Sequence, residues 1–257
     1  MKSIIICEGK TDLILISYYL CQAAAWHHLN GREKKNHEDR LLNFKVDNKS
    51  TQDFDWYTNS KSDLLCIYAV GSIDRIGDGL GQVVGINLFS NSEPFDKVII
   101  ICDRDDDNVE KSIFEEMHSA IGSNMNITSD FANNTWTSLT YNLFGNTLTT
   151  EILPLIIPLD EVGTLETFLL NCRKSIDGCE SELVDKCGEF VGELQKADMI
   201  RGRYMYRRGI RPKILLGTYF SVVSPNRTFD AGNKILTSVN WEEYAQFNKT
   251  FKCLLDL

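Results

Sequence analysis

Short continuous apolar runs that end in carboxylates set the rhythm of this chain. Val98-Ile-Ile-Ile-Cys102 runs into Asp103-Arg-Asp-Asp-Asp107, and Ser3-Ile-Ile-Ile-Cys7 runs into Glu8. A run of this length, apolar at successive positions, predicts a strand buried on both faces, as in a parallel sheet. Leu64-Leu-Cys-Ile-Tyr-Ala-Val70 is a third such run. Ile152-Leu-Pro-Leu-Ile-Ile-Pro-Leu159 is a further strand, which its two prolines keep near an edge or confine to its ends. Trp136 to Leu143 shows strand-like alternation.

Between these runs the spacing turns helical. Leu13 to Ala25 follows the tight turn Gly9-Lys-Thr-Asp12 and is too long and too rich in helix formers for a strand. Thr11 is the expected cap. Asp12, in the first turn, either favours the helix dipole or serves a metal. Val109 to Ile121 predicts an amphipathic helix; Asp107 with Glu110 has the spacing of a capping box, a metal role for Asp107 being the alternative. Further helices are expected from Asp160 to Leu170, over 180–198, from Lys213 to Ser221, where a buried strand competes, and from Trp241 to Leu257. Gly77, Gly79, Gly81 and Gly85 crowd a stretch that could hold a short helix, and they match no phosphate-cradling pattern. They are read as turns and close backbone packing. Residues 30–62 are polar and mixed in charge, with Trp56 and Tyr57 isolated among them, and read as an exposed insertion with a short hairpin. The expected fold is α/β: a central, mainly parallel sheet with helices on both faces, plus a helical C-terminal part. Residues 1–175 would form the α/β domain, interrupted by the insertion, and 176–257 a helical extension packed on it.

Charge and cysteine usage narrow the class. The 257 residues carry a net charge of −9, which argues against a protein that simply coats nucleic acid. It leaves room for an enzyme whose acidic site is neutralised by metal. None of the eight cysteines forms a Cys-x-x-Cys pair, which argues against a zinc site, and Cys7, Cys66 and Cys102, lying in apolar runs, read as buried free thiols. His27, His28, His37 and His118 have no metal-ligand spacing and read as structural or surface residues. The thiols and the absence of a leader fit a cytoplasmic protein, and no run approaches the roughly 20 apolar residues that would involve a membrane.

The chemistry concentrates where the runs end. In open α/β sheets, ligands bind beyond the carboxyl ends of the strands. If the chain stays extended past Cys102, Asp103 and Asp105 point the same way, repel one another, and invite a divalent cation. The most basic stretch, Arg201 to Lys213, holds Arg201, Arg203, Arg207, Arg208, Arg211 and Lys213 with Tyr204 and Tyr206 between them. It suits phosphate contact and base stacking, or else forms a solvated basic loop. A haloacid-dehalogenase reading of Asp-x-Asp fails because Asp107 stands where Thr or Val belongs. A calcium loop from Asp103 fails at Asn108 and Phe114.

Strand, Glu8, Gly9 and Asp12, followed by strand, Asp103 and Asp105, resembles the Toprim domain of topoisomerases, primases and related nucleases. Thr164-Leu-Glu166 looks like the Ser/Thr-x-Glu element of the overcoming-lysogenization-defect nucleases. The resemblance implies a nuclease using two Mg²⁺ or Mn²⁺ ions on DNA or RNA. It implies that Glu8 binds metal or acts as general base and that Asp12, Asp103 and Asp105 serve the first ion. Thr164 and Glu166 would serve the second, and Lys213 would stabilise the transition state. Lys10 joins Arg201, Arg203, Arg207, Arg208 and Arg211 as nucleic-acid contacts. The chain lacks the Walker motif and ATPase domain of the full nucleases, so a separate ATPase or other protein partner is expected. The competing expectation is a catalytically silent Toprim-like module that binds nucleic acid or a partner in a defence or repair system.

Overall fold

The computed structural model describes residues 1–37, 40–41, 52–89, 93–206, 210–225 and 239–257. The strands are β1 (Lys2–Cys7), β2 (His27–His28), β3 (Asp53–Thr58), β4 (Leu64–Ala69), β5 (Lys97–Asp103), β6 (Asn126–Ile127), β7 (Thr137–Leu143) and β8 (Asn146–Ile157). The helices are α1 (Lys10–Ala23), α2 (Gly31–Lys35), α3 (Ile76–Phe89), α4 (Val109–Ile121), α5 (Leu165–Lys174), α6 (Gly178–Lys196), α7 (Asp198–Tyr204), α8 (Ile210–Val223) and α9 (Ala245–Phe251).

The strands form one sheet in the order β2-β3-β4-β1-β5-β8-β7-β6. Its centre is parallel: β4, β1, β5 and β8 run together. Its flanks are antiparallel, β2 and β3 on one side, β7 and β6 on the other. The expectation of a mainly parallel sheet therefore holds for the centre alone, and the sheet is mixed. The continuous apolar runs are the strands that helices cover on both faces. Ile5, Cys7, Ile67, Ile99, Ile101, Leu153 and Leu155 pack toward α1, α5, α6, α8 and α9. Ile4, Ile6, Cys66, Val98, Ile100 and Ile152 pack toward α3 and α4. Each large apolar side chain so buried contributes roughly 1.5–3 kcal/mol over exposure.

Several local expectations are corrected. Gly9, not Thr11, caps α1, because the Asp12 carboxylate reaches back to the Gly9 N–H at 2.7 Å. Asn108 stands at the cap of α4, with Asp106 accepting its N–H, so Asp107 and Glu110 do not form the expected box. The glycine-rich stretch is a full helix, α3. Close packing holds at Gly79, where an added Cβ would lie 2.8 Å from Val70 Cγ1. Residues 53–58 of the supposed insertion are a sheet strand, and Trp56 and Tyr57 are buried. Residues 38–39 and 42–51 of that insertion lie outside the described residues.

The proline-bearing strand β8 lies inside the sheet, yet half of it is a local edge. Its pairing with β7 ends at Thr137–Ile152. Beyond that point the Asn133 side chain takes over, accepting from Ile156 N–H and donating to Ile156 C=O. Pro154 sits where no neighbouring strand asks for its missing N–H. After β8 the described residues form helices, and α6, α8 and α9 share the core of α1 and α5.

Candidate active site

Three adjacent parallel strands, β1, β5 and β8, end on the same rim, and each hands its chain to an acidic residue. Glu8 follows β1, Asp103 closes β5, and the connection after β8 leads through Gly163 and Thr164 into α5 with Glu166. Glu8 Oε1 accepts the Asp103 N–H at 2.8 Å, so the first two strand ends are tied by a carboxylate of one and the main chain of the other. Asp103 Oδ1 in turn accepts the N–H of Leu165, the first residue of α5, at 2.8 Å. That N–H belongs to the unsatisfied first turn of the helix, where a carboxylate is favoured.

The depth of α5 sets Glu166. Phe168 packs against the paired rings of Phe247 and Phe251, with centroids 5.8 and 6.0 Å away, and Leu165 and Leu169 are buried beside it. Glu166 is consequently only 5% exposed, and its Oε2 is buried with no hydrogen-bond partner. Lys213 reaches across from α8, its Nζ 3.9 Å from Glu166 Oε1. Thr164 caps α5, its hydroxyl accepting the Thr167 N–H at 3.4 Å.

Crowding shows in the protonation equilibria. Burial, reinforced by Glu8 and Asp12, pushes the Asp103 carboxyl up to about 9. Burial pushes Glu8 up to about 7; the Asp103 N–H opposes this, Asp12 and Asp105 add to it, and Lys213 counters it. Burial pushes Asp12 up to about 6, against the Gly9 N–H and Lys213 and together with Glu166. Glu8, Asp12, Asp103, Glu166 and Lys213 thus feel one another as a cluster. Asp105 lies beyond the end of β5, exposed, and reaches the cluster through its charge on Glu8.

The remaining candidates lie outside this cluster. Lys10 pairs with Asp53 at 3.1 Å. Arg201 pairs with Asp198 on exposed α7, and the Arg203 guanidinium lies 5.2 Å from the centroid of the Tyr204 ring. Arg211 is exposed at the start of α8, beside a shallow groove that Thr167 and Leu170 also line. Arg207 and Arg208 lie outside the described residues. One residue of consequence escaped the sequence reading: Arg104, between the two aspartates, whose partners lie more than fifty residues away apart from Glu110.

Among the described residues, no three His, Cys, Asp or Glu side chains converge as a ready-made metal cage. The donor chemistry nevertheless fits a hard divalent cation. The carboxylates repel one another, and the buried Glu166 Oε2 lacks a partner that a cation would supply. No helix among the described residues is long and apolar enough to cross a membrane.

A family model described as a protein of unknown function (DUF3226) matches residues 2–256. No curated protein sequence matches the chain. Among solved structures, the hypothetical protein PH0156 from Pyrococcus horikoshii OT3 is similar at 15% identity and a TM-score of 0.47, over 98% of this chain and 99% of that one.

Proposed function

We propose, for a chain that belongs to the DUF3226 family of proteins of unknown function, a metal-dependent phosphodiester hydrolase of Toprim type acting on DNA or RNA. The observation that carries this reading is the Glu8–Asp103 junction at adjoining strand ends, with Asp12 and Glu166 near enough to disturb its proton affinity. The arrangement of strand, Glu8 and helix beside strand, Asp103 and Asp105 on parallel neighbours supports the Toprim likeness.

Magnesium or manganese ions, when bound, would neutralise the carboxylates and stabilise charge on the attacking and leaving oxygens. Asp12, Asp103 and Asp105 would hold one ion, and Glu166 with Thr164 the other. Glu8, with its carboxyl lifted toward neutral pH, is suited to accept the proton of the attacking water. Lys213 supplies positive charge beside Glu166 for the negative charge that builds on the phosphoryl oxygens. Arg201, Arg203, Arg211 and Lys10 would contact flanking phosphates, and an ATPase, if needed, would come from a partner chain.

One observation favours a second reading. Glu8, Asp12 and Asp103 each accept a main-chain N–H, and Thr164 is occupied as a cap, so the cluster holds its shape through protein contacts. A silent module that binds nucleic acid or a partner would need no more. The two separate in an assay of the full chain on single- and double-stranded DNA and RNA with Mg²⁺, Mn²⁺ or EDTA, beside Glu8→Gln and Asp103→Asn. Metal-dependent cleavage by the wild type alone supports the hydrolase. Cleavage equal in all three proteins, or binding with no cleavage, removes it.

A further inference from the structure

Arg104 separates Asp103 from Asp105, and its guanidinium is bound outside the reactive cluster, by Glu110 and the Pro158 and Leu159 carbonyls. Alternation along β5 sends Asp103 to the α1 and α5 face, and Arg104 to the opposite face, where Glu110 of α4 meets it. Its guanidinium donates through Nε to the Pro158 carbonyl at 2.7 Å, through Nη2 to the Leu159 carbonyl at 3.0 Å, and to Glu110 Oε1. Its main chain continues the same strap. Arg104 N–H donates to the Ile157 carbonyl at 2.6 Å, and Gly163 N–H donates to the Arg104 carbonyl at 2.8 Å. The connection from β8 to α5 is therefore gripped at its start by one side chain and at its end by one backbone bridge, both from a single residue. Gly163 leaves little slack: a Cβ there would lie 3.1 Å from Thr167 Cγ2.

We infer that Arg104 is a positioning residue. It registers the loop that delivers Glu166 against the strand end that carries Asp103, so the Glu166 half of the site depends on it. The Glu8–Asp103 half depends on it less, because the direct Glu8–Asp103 hydrogen bond holds those two strand ends together in addition to the Leu165 N–H that Asp103 accepts from α5. The planar guanidinium reaches these acceptors from two nitrogens held in fixed positions, a geometry that lysine's donors, all on one nitrogen, do not reproduce. The inference rests on the two-cation reading above.

The experiment is Mn²⁺ binding to the full chain, followed by the loss of the free-ion paramagnetic resonance signal, with thermal melting of each protein alongside. The proteins are wild type, Glu166→Gln, Arg104→Gln, Arg104→Lys and the double variant. The wild type is expected to take up two ions. Glu166→Gln and Arg104→Gln are each expected to keep the first with little change and to weaken the second by about 10–100-fold, the range typical of residues that orient a ligand. Arg104→Lys should behave like Arg104→Gln, and the double variant should be no weaker than Glu166→Gln alone, since both act on one site. Should Arg104→Gln melt far below the wild type, Glu110→Gln, which frees one end of the strap and keeps the guanidinium, is expected to weaken the second ion selectively as well. Two ions bound as tightly as in the wild type by Arg104→Gln, or both weakened equally, overturns the inference while leaving the hydrolase reading standing. A wild type that takes up no Mn²⁺ overturns the hydrolase reading itself, and the inference with it.

Discussion

Lys213 Nζ lies 3.9 Å from Glu166 Oε1, an exposed ammonium on α8 set against a carboxylate that α5 buries. The same lysine lowers the proton affinity of Glu8 and Asp12, so its charge is felt across the whole cluster. Replacing it with Met should reduce turnover on the order of 10²-fold, the scale of losing one charge-stabilising donor. It should also move the acid limb of the pH–rate profile upward, because Glu8 and Asp12 would then hold their protons more tightly. A profile with unchanged limbs would separate Lys213 from the carboxylates.

Without metal, the cluster should make the protein less stable as pH rises. Asp103 titrates near 9, Glu8 near 7 and Asp12 near 6, all above ordinary carboxylates near 4. The folded state then binds these protons more tightly than the unfolded one. The stability they contribute is full below about pH 4 and is lost as pH climbs through 6, 7 and 9. Melting in EDTA should fall between pH 5 and 9, and Mg²⁺ should restore it at pH 8. Asp103→Asn should flatten the upper part of the decline. A melting temperature that climbs over this window in EDTA contradicts the assignment.

Glu166 is expected to trade stability for function. Its buried Oε2 has no partner, and an unmet buried polar atom costs about 1–3 kcal/mol. Glu166→Met removes that atom while filling similar space. The variant should be more stable in EDTA by about 1–2 kcal/mol in urea unfolding, and should lose the gain in stability that the wild type draws from saturating Mn²⁺. Destabilisation in EDTA would show that Glu166 serves the fold.

The glycines of α3 should respond in opposite directions. Gly79→Ala drives a Cβ to 2.8 Å from Val70 Cγ1 and 3.4 Å from Ile6 Cγ2, and overpacking of this kind costs about 1–3 kcal/mol. Gly81→Ala meets nothing within 4 Å, so only the better helix propensity remains, a gain of roughly 0.5–1 kcal/mol. Paired chemical denaturation curves read both signs.

What could be read from the sequence was local and uniform. The strands β1, β4 and β5 announce themselves because each is apolar at nearly every position, and α4 because its apolar residues recur at helical spacing. The strand β3, Asp53-Phe-Asp-Trp-Tyr-Thr58, hid because two aspartates flank Phe54 in its first half and only its later residues are buried. The helix α3 hid behind four glycines that weaken the local helix preference, and packing against β1 and β4 overrides it. Glu8, Asp12, Asp103 and Glu166 were legible as acids at strand ends and a helix start. Their mutual effect on protonation was not, since it depends on how closely the rim draws together. Arg104 gave no signal at all: its partners Pro158, Leu159 and Gly163 are chosen by the neighbour order β5–β8, which no local pattern encodes.

The outermost strands, His27–His28 and Asn126–Ile127, are each two residues long. A sheet whose middle is so apolar would be hazardous if it stopped at a long, flat margin, where another chain could zip on through its main chain. Outermost strands this short are poor templates in themselves, one of the ways native sheets blunt their edges. The greasy centre, built from unbroken isoleucine and valine runs that end in a charged rim, thus lies well inside the sheet, away from its margins.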